Sequence, residues 1–266
     1  MIYFCQWRCL ATISGSIFTP ELIFDIATTK MSIISLRPSL RVPLPEQYNG
    51  NRALSLWRAQ RGCRVCIELP GKQQSWKDDT DSCGYPLDCR PFSVERMKPE
   101  PEKAKEGRIN PKGIPCLYLA THQDTAMSEV RPWHEARISL ARFELTQAVV
   151  LVDCSQEFPN DPTNEEARNW YWIGEAFSRP VTSSDDVSDY APTQILAEAF
   201  RQHWYDGIIY NSGLNNDGKN VALFDLSHAN VKERFLYTLS DISYYFNKHN
   251  TGEYGEEASA LEDKQS

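Results

Sequence analysis

At 266 residues, with 41% hydrophobic and 24% charged side chains, the chain has the composition of one sizeable globular domain with extensions. A formal net charge of -8 and a pI near 5.2 argue against a dedicated nucleic-acid binder, although local arginines can still hold a small anion. No apolar run approaches the roughly 18 residues of a membrane span, which argues against a membrane partner.

Residues 1–30 hold apolar clusters but not an export signal: Ser14, Gly15 and Ser16 interrupt them, no basic cluster opens them, and Pro20 and Glu21 follow. Met31 is an alternative start, and 32–45 is a lead-in. The eight cysteines are scattered, and Cys116 and Cys154 sit inside apolar runs as reduced core residues would. Without an export signal the compartment reads as reducing and cytoplasmic. The domain division is an extension over 1–47, one domain over 48–240 and an acidic, disordered tail over 241–266.

Residues 48–61 open the domain as a strand or a turn of helix. Residues 70–106 are polar, proline-containing and irregular, a long loop or surface insertion. A turn bounded by Gly107 and Asn110-Pro111 then carries Arg108, and the apolar run from Ile114 to Ala120 reads as a buried strand. Thr121 or Asp124 caps a short helix, with Glu129 near its end and Pro132 stopping it. Strands follow at 138–145, where polarity alternates, and at 148–152. After a Pro/Asn/Asp loop at 155–164 comes a helix carrying Trp170, Tyr171, Trp172, Ile173 and Phe177. The loop at 178–189 is polar and mobile. Asp189 caps a last helix with Pro192 in its first turn; Ile195, Leu196, Ala199, Phe200 and Trp204 form its apolar face and Gly207 ends it. Strands at 208–211 and 220–225 are joined by a Gly/Asn-rich loop. Arg108, Tyr118 and Glu129 thus lie on a turn, a strand and a helix that the chain itself brings together, a constellation suited to an anionic, planar-ringed ligand.

The stretch over 107–133 resembles the RES domain, a family named for an Arg, a Glu and a Ser, many of whose members are toxins that destroy NAD. Leu56-Trp57-Arg58-Ala59-Gln60 is similar to the family's aromatic-Arg entry motif. The segment from Asp189 to Glu198 and the segment from Tyr205 to Ser212 resemble its C-terminal helix and strand, and Asn220-Val221-Ala222-Leu223-Phe224-Asp225 its last strand. The blocks occur in family order over residues 54–226. The resemblance implies an α+β fold of the ADP-ribosyltransferase kind, a split β core with surrounding helices and NAD in its cleft. It implies cleavage of the nicotinamide–ribose bond with inorganic phosphate (an NAD phosphorylase) or water as acceptor, and a possible cognate antitoxin as partner. The alternatives are transfer of ADP-ribose to a macromolecule and a non-catalytic NAD-binding module. The insertion at 70–106 could dock such a macromolecule or shield the cleft.

Each candidate residue carries a plainer reading beside the functional one. Glu129 is the candidate stabiliser of the oxocarbenium-like state; otherwise it is a surface helix glutamate. Arg58, assigned by resemblance to the namesake arginine, and Arg108 are candidates for the diphosphate; a lone arginine is more often a solvated ion-pair partner. Tyr118 offers a ring to nicotinamide or a hydroxyl to the ribose, or is a core tyrosine. Ser212 supplies a hydroxyl to the ligand but, with no Gly-x-Ser-x-Gly elbow, is not a nucleophile; its plain reading is a turn serine. Gly213 and Asn211 depart from the common family pattern there, and Tyr190, Thr193 and Gln194 at the start of the last helix offer alternative polar groups, of which Thr193 and Gln194 are candidates for the cofactor-binding set. His122 and His134 lack ligand-spaced partners and read as surface residues. Cys63-x-x-Cys66 with Cys83 and Cys89 reads as free thiols rather than zinc ligands, since five residues separate the second pair. No metal is expected.

Overall fold

The computed structural model describes residues 39–42, 55–67, 75–80, 88–179, 187–215, 217–243 and 246, and among these residues two sheets and three α-helices make an α+β fold. The readings on residues 1–38, on Met31, on Cys83, on most of the 178–189 loop and on most of the acidic tail lie outside them. In chain order the elements are β1 (Ser39–Val42), β2 (Leu56–Arg61), β3 (Cys63–Ile67), β4 (Ser75–Asp79), β5 (Cys89–Arg90), β6 (Leu117–Ala120), α1 (Gln123–Glu129), β7 (Arg137–Leu145), β8 (Val149–Cys154), α2 (Glu165–Ser178), α3 (Ala191–Gln202), β9 (Gly207–Asn211), β10 (Lys219–Leu223) and β11 (Ala229–Thr238).

The large sheet has the order β1-β8-β9-β10-β6-β2-β7-β11 and is antiparallel except for the parallel pair β8/β9. Its halves are joined by a single register pair, Trp57 with Ala120, between β2 and β6. This is the split in the core. One face of the sheet closes on itself. Leu117, Leu119, Leu151, Ile209, Val221 and Leu223 from one half pack with Leu56, Ala141, Phe143 and Leu145 from the other. The opposite face is covered by helices: α2 and α3 over β8 and β9, and α1 over the split itself, touching β2, β6, β7 and β10. Gly174 lets α2 lie against the Cys154 carbonyl, which a Cβ would strike.

Several expectations are revised. The lead-in contributes β1, which pairs with β8, so the sheet begins at Ser39, within the 1–47 extension. The 70–106 insertion is not a plain loop: β4 and β5 join β3 in a separate three-stranded sheet, and Phe92 and Met97 are fully buried. The strand expected from Ile114 starts only at Leu117, Ile114 being exposed. β7 does not alternate cleanly, because Ile138, Ser139, Leu140 and Ala141 are covered from both sides. α1 begins after extended His122 without a side-chain cap; the Thr121 hydroxyl instead accepts from the Lys219 amide at 3.0 Å. Asp189 lies in a 3-10 turn before α3, and α3 ends at Gln202, with Gly207 opening β9. Its buried face is Thr193, Leu196, Ala197 and Phe200, whereas Ile195 is 49% and Trp204 is 92% exposed. Trp204 follows the helix in the left-handed region, φ 66°, which rotates it out of the apolar stripe. β11 has no counterpart among the strands expected from the sequence.

Candidate active site

The end of α1 meets the open ends of β9 and β10. Asn220, the second residue of β10, pairs with Ala120 on one side and Tyr210 on the other, and its side chain lies under α1. Asn220 Nδ2 donates to Glu129 Oε1 at 2.6 Å, and Ser212 Oγ donates to the same oxygen at 2.7 Å. The Ser212 hydroxyl in turn accepts from the Leu214 and Asn215 amides, each at 3.2 Å. Two backbone donors fill its lone pairs, so its single proton is directed at Glu129. Both Ser212 and Asn220 are buried, whereas Glu129 reaches the surface. Its Oε2 accepts from no side chain or amide among the described residues. Glu129 is therefore not a free surface glutamate; it is a carboxylate clamped by one oxygen.

The second half of the site is the turn before β6. Buried Asn110 donates through Nδ2 to the carbonyls of Lys105 (2.9 Å), Pro111 (3.2 Å) and Ile114 (2.8 Å), while its Oδ1 accepts from the Tyr118 hydroxyl at 2.7 Å. The same hydroxyl accepts from the Ile109 amide at 3.2 Å. Burial drives the Tyr118 phenol well above its ordinary pKa, so it stays protonated. Tyr118 OH is thus engaged by the turn, and what it can offer a ligand is its ring. Gly107 is required here: a Cβ on it would lie 2.7 Å from the Tyr118 hydroxyl.

Arg108 donates from Nη1 to the Ala176 carbonyl at 2.8 Å, near the end of α2, and its guanidinium lies 5.9 Å from the Tyr190 ring centroid. Gln194 Nε2 donates to the Gly107 and Asn110 carbonyls at 2.8 and 3.2 Å, and the Thr193 hydroxyl donates to the Tyr190 carbonyl at 3.0 Å. Both candidates thus hold the turn and the helix start together.

Arg58 occupies the split. Where β2 and β6 diverge, its Nη1 donates to the Tyr118 carbonyl at 2.9 Å, replacing a ladder bond. Its Nε is buried without a partner. Desolvation lowers its pKa to about 10, which leaves it charged at neutral pH. Arg58 is thereby tied to the Tyr118 strand, and Glu129 to Ser212; no direct contact links these two groups among the described residues.

The sequence places Asn110 in a turn and Asn220 in a strand but gives neither a role at the site. The signal for Asn220 was an amide opening an otherwise apolar strand. His122 and His134 are exposed, as expected. β3 puts Cys63 and Cys66 on opposite faces, as residues three apart on a strand must be, so they cannot share one metal. Cys63 instead shares a guanidinium with Cys89: Arg137 Nη1 is 2.7 Å from Cys89 Sγ and 3.8 Å from Cys63 Sγ. Cys116 and Cys154 are buried free thiols. No helix among the described residues is long and apolar enough to cross a membrane.

A family model described as "RES domain" matches residues 84–246, well over half of the chain. That span contains Arg108, Tyr118, Glu129, Ser212 and Asn220, while Arg58 precedes it. Among solved structures, the crystal structure of the M. tuberculosis MbcT-MbcA toxin-antitoxin complex is similar at 15% identity, covering 70% of this chain and 87% of that chain with a TM-score of 0.32. No curated protein matches the chain.

Proposed function

The chain belongs to the RES domain family, and we propose that it consumes NAD by cleaving the bond between nicotinamide and ribose. The observation that carries this reading is the clamped carboxylate: Ser212 and Asn220 both donate to Oε1 of Glu129, leaving Oε2 open at the surface. As the C–N bond breaks, its electron pair leaves with the nicotinamide nitrogen and positive charge develops at the anomeric carbon. A fixed carboxylate stabilises that charge more in the transition state than in the ground state. Arg108 and Arg58 supply guanidinium N–H groups for the diphosphate. The Tyr118 ring, its hydroxyl held by Asn110, faces the nicotinamide ribose.

Attack by inorganic phosphate on the anomeric carbon then gives ADP-ribose 1″-phosphate. Attack by water gives ADP-ribose and a proton. Phosphate is the acceptor we favour, with Ser212 positioning Glu129 rather than attacking. Toxicity through loss of NAD, restrained by a cognate antitoxin that covers the cleft, belongs to the same reading.

Glu129→Gln tests it. The amide keeps the shape of the carboxylate and removes its charge, so NAD turnover is expected to fall by orders of magnitude while NAD binding is largely kept. Unchanged turnover would overturn the role of Glu129.

A further inference from the structure

Tyr210 pairs with Asn220 across β9 and β10, and paired residues share a face of the sheet. Its ring therefore stands beside the amide that donates to Glu129, two residues before Ser212. On its other flank the Phe177 ring lies 6.1 Å away between centroids, and the carbonyl preceding Phe177, that of Ala176, holds Arg108. The phenol is thus near both the clamped carboxylate and the guanidinium. Tyr210 is 8% exposed, and its hydroxyl makes no hydrogen bond with a described residue. The oxygen is not one of the fully buried side-chain atoms that lack a partner, so it stands at the edge of the packing, within reach of a ligand.

We propose that Tyr210 is a ligand-contacting residue whose hydroxyl donates to a ribose oxygen of a nucleotide lying between Glu129 and Arg108. The chemistry of the surroundings is that of a sugar phosphate. Ribose hydroxyls can donate to the carboxylate and accept from the phenol, while phosphate oxygens match the guanidinium. Burial first, and then the Glu129 carboxylate, push the phenol above its ordinary pKa, with Arg108 opposing. The group is therefore a neutral donor at working pH. The identity of the nucleotide rests on the NAD reading above; the unpartnered hydroxyl does not.

The test is Tyr210→Phe compared with wild type in two measurements, thermal unfolding of the free protein and calorimetric titration. Removing a hydroxyl that bonds nothing in the free protein should leave the melting temperature unchanged or raise it, whereas NAD affinity should fall about tenfold, the scale of one lost hydrogen bond. Equal NAD binding by the two proteins would overturn the inference. So would a variant that melts well below wild type, because the hydroxyl would then be bonded in the free protein. If wild type does not bind NAD at all, the proposed function fails instead. Ribose 5-phosphate then becomes the probe: weaker binding by the variant upholds the inference, and equal or absent binding overturns it.

Discussion

Ser212 donates its one hydroxyl proton to Oε1 of Glu129 at 2.7 Å, a bond joining the loop after β9 to the end of α1 across 83 residues of sequence. Because the Leu214 and Asn215 amides occupy its lone pairs, Ser212 has no freedom to turn elsewhere. Ser212→Ala should therefore loosen the carboxylate without removing it. Hydrogen bonds to charged groups contribute about 1.5–3 kcal/mol, so kcat is expected to fall about ten- to a hundredfold, with KM for NAD little changed. Steady-state kinetics decide it. A loss in KM alone would show that Ser212 binds substrate rather than positioning Glu129.

Asn220 should behave in the same way through its 2.6 Å bond to the same oxygen. Asn220→Asp is expected to be worse than Asn220→Ala, since it places a second carboxylate against the first. In a Glu129→Gln background, Asn220→Ala should cause little further loss, because residues acting through one group are not additive. Fully additive effects on kcat would contradict the role.

The elements that position this pair were legible in the sequence, but the pairing itself was not. A short helix before Pro132, the strand into Asn211 and the strand from Asn220 all appear in the expected places, and Glu129 and Ser212 were both marked. That both donors converge on one oxygen depends on the antiparallel register of β9 and β10, and the spacing of residues does not encode it. The missed elements have physical reasons. β11 is an edge strand with mostly exposed side chains, so its pattern carries no apolar period. β4, with Lys77, Asp78 and Asp79, reads as loop because none of its five residues is buried. Trp204 was drawn into a helical face by size and spacing, yet the helix had ended two residues earlier.

Gly107→Ala tests the turn that carries Arg108. The added methyl would meet the Tyr118 hydroxyl at 2.7 Å and Asn110 Oδ1 at 3.2 Å. Separating those two groups breaks a buried hydrogen bond, so a loss of about 1–3 kcal/mol is expected in urea unfolding. Wild-type stability would show that the loop gives way freely.

Cys116 reports on the core under this turn. Burial pushes its thiol up to about 12, and the neighbouring Arg201 and Arg58 only partly oppose this. At about pH 8.5, the pKa of a free thiol, iodoacetamide should leave Cys116 and Cys154 unlabelled in the folded protein and modify both after denaturation. Rapid labelling of Cys116 in the native state would contradict its closed packing between β6 and β10.

The most direct measurement of the central claim is nicotinamide release from NAD by the purified protein, with and without inorganic phosphate, with the ribosyl product identified by mass spectrometry. The account predicts release, accelerated by phosphate and accompanied by ADP-ribose 1″-phosphate. Release without phosphate dependence, giving ADP-ribose, would keep the cleavage and reassign the acceptor to water. Folded protein that binds NAD and releases no nicotinamide under either condition would contradict the account.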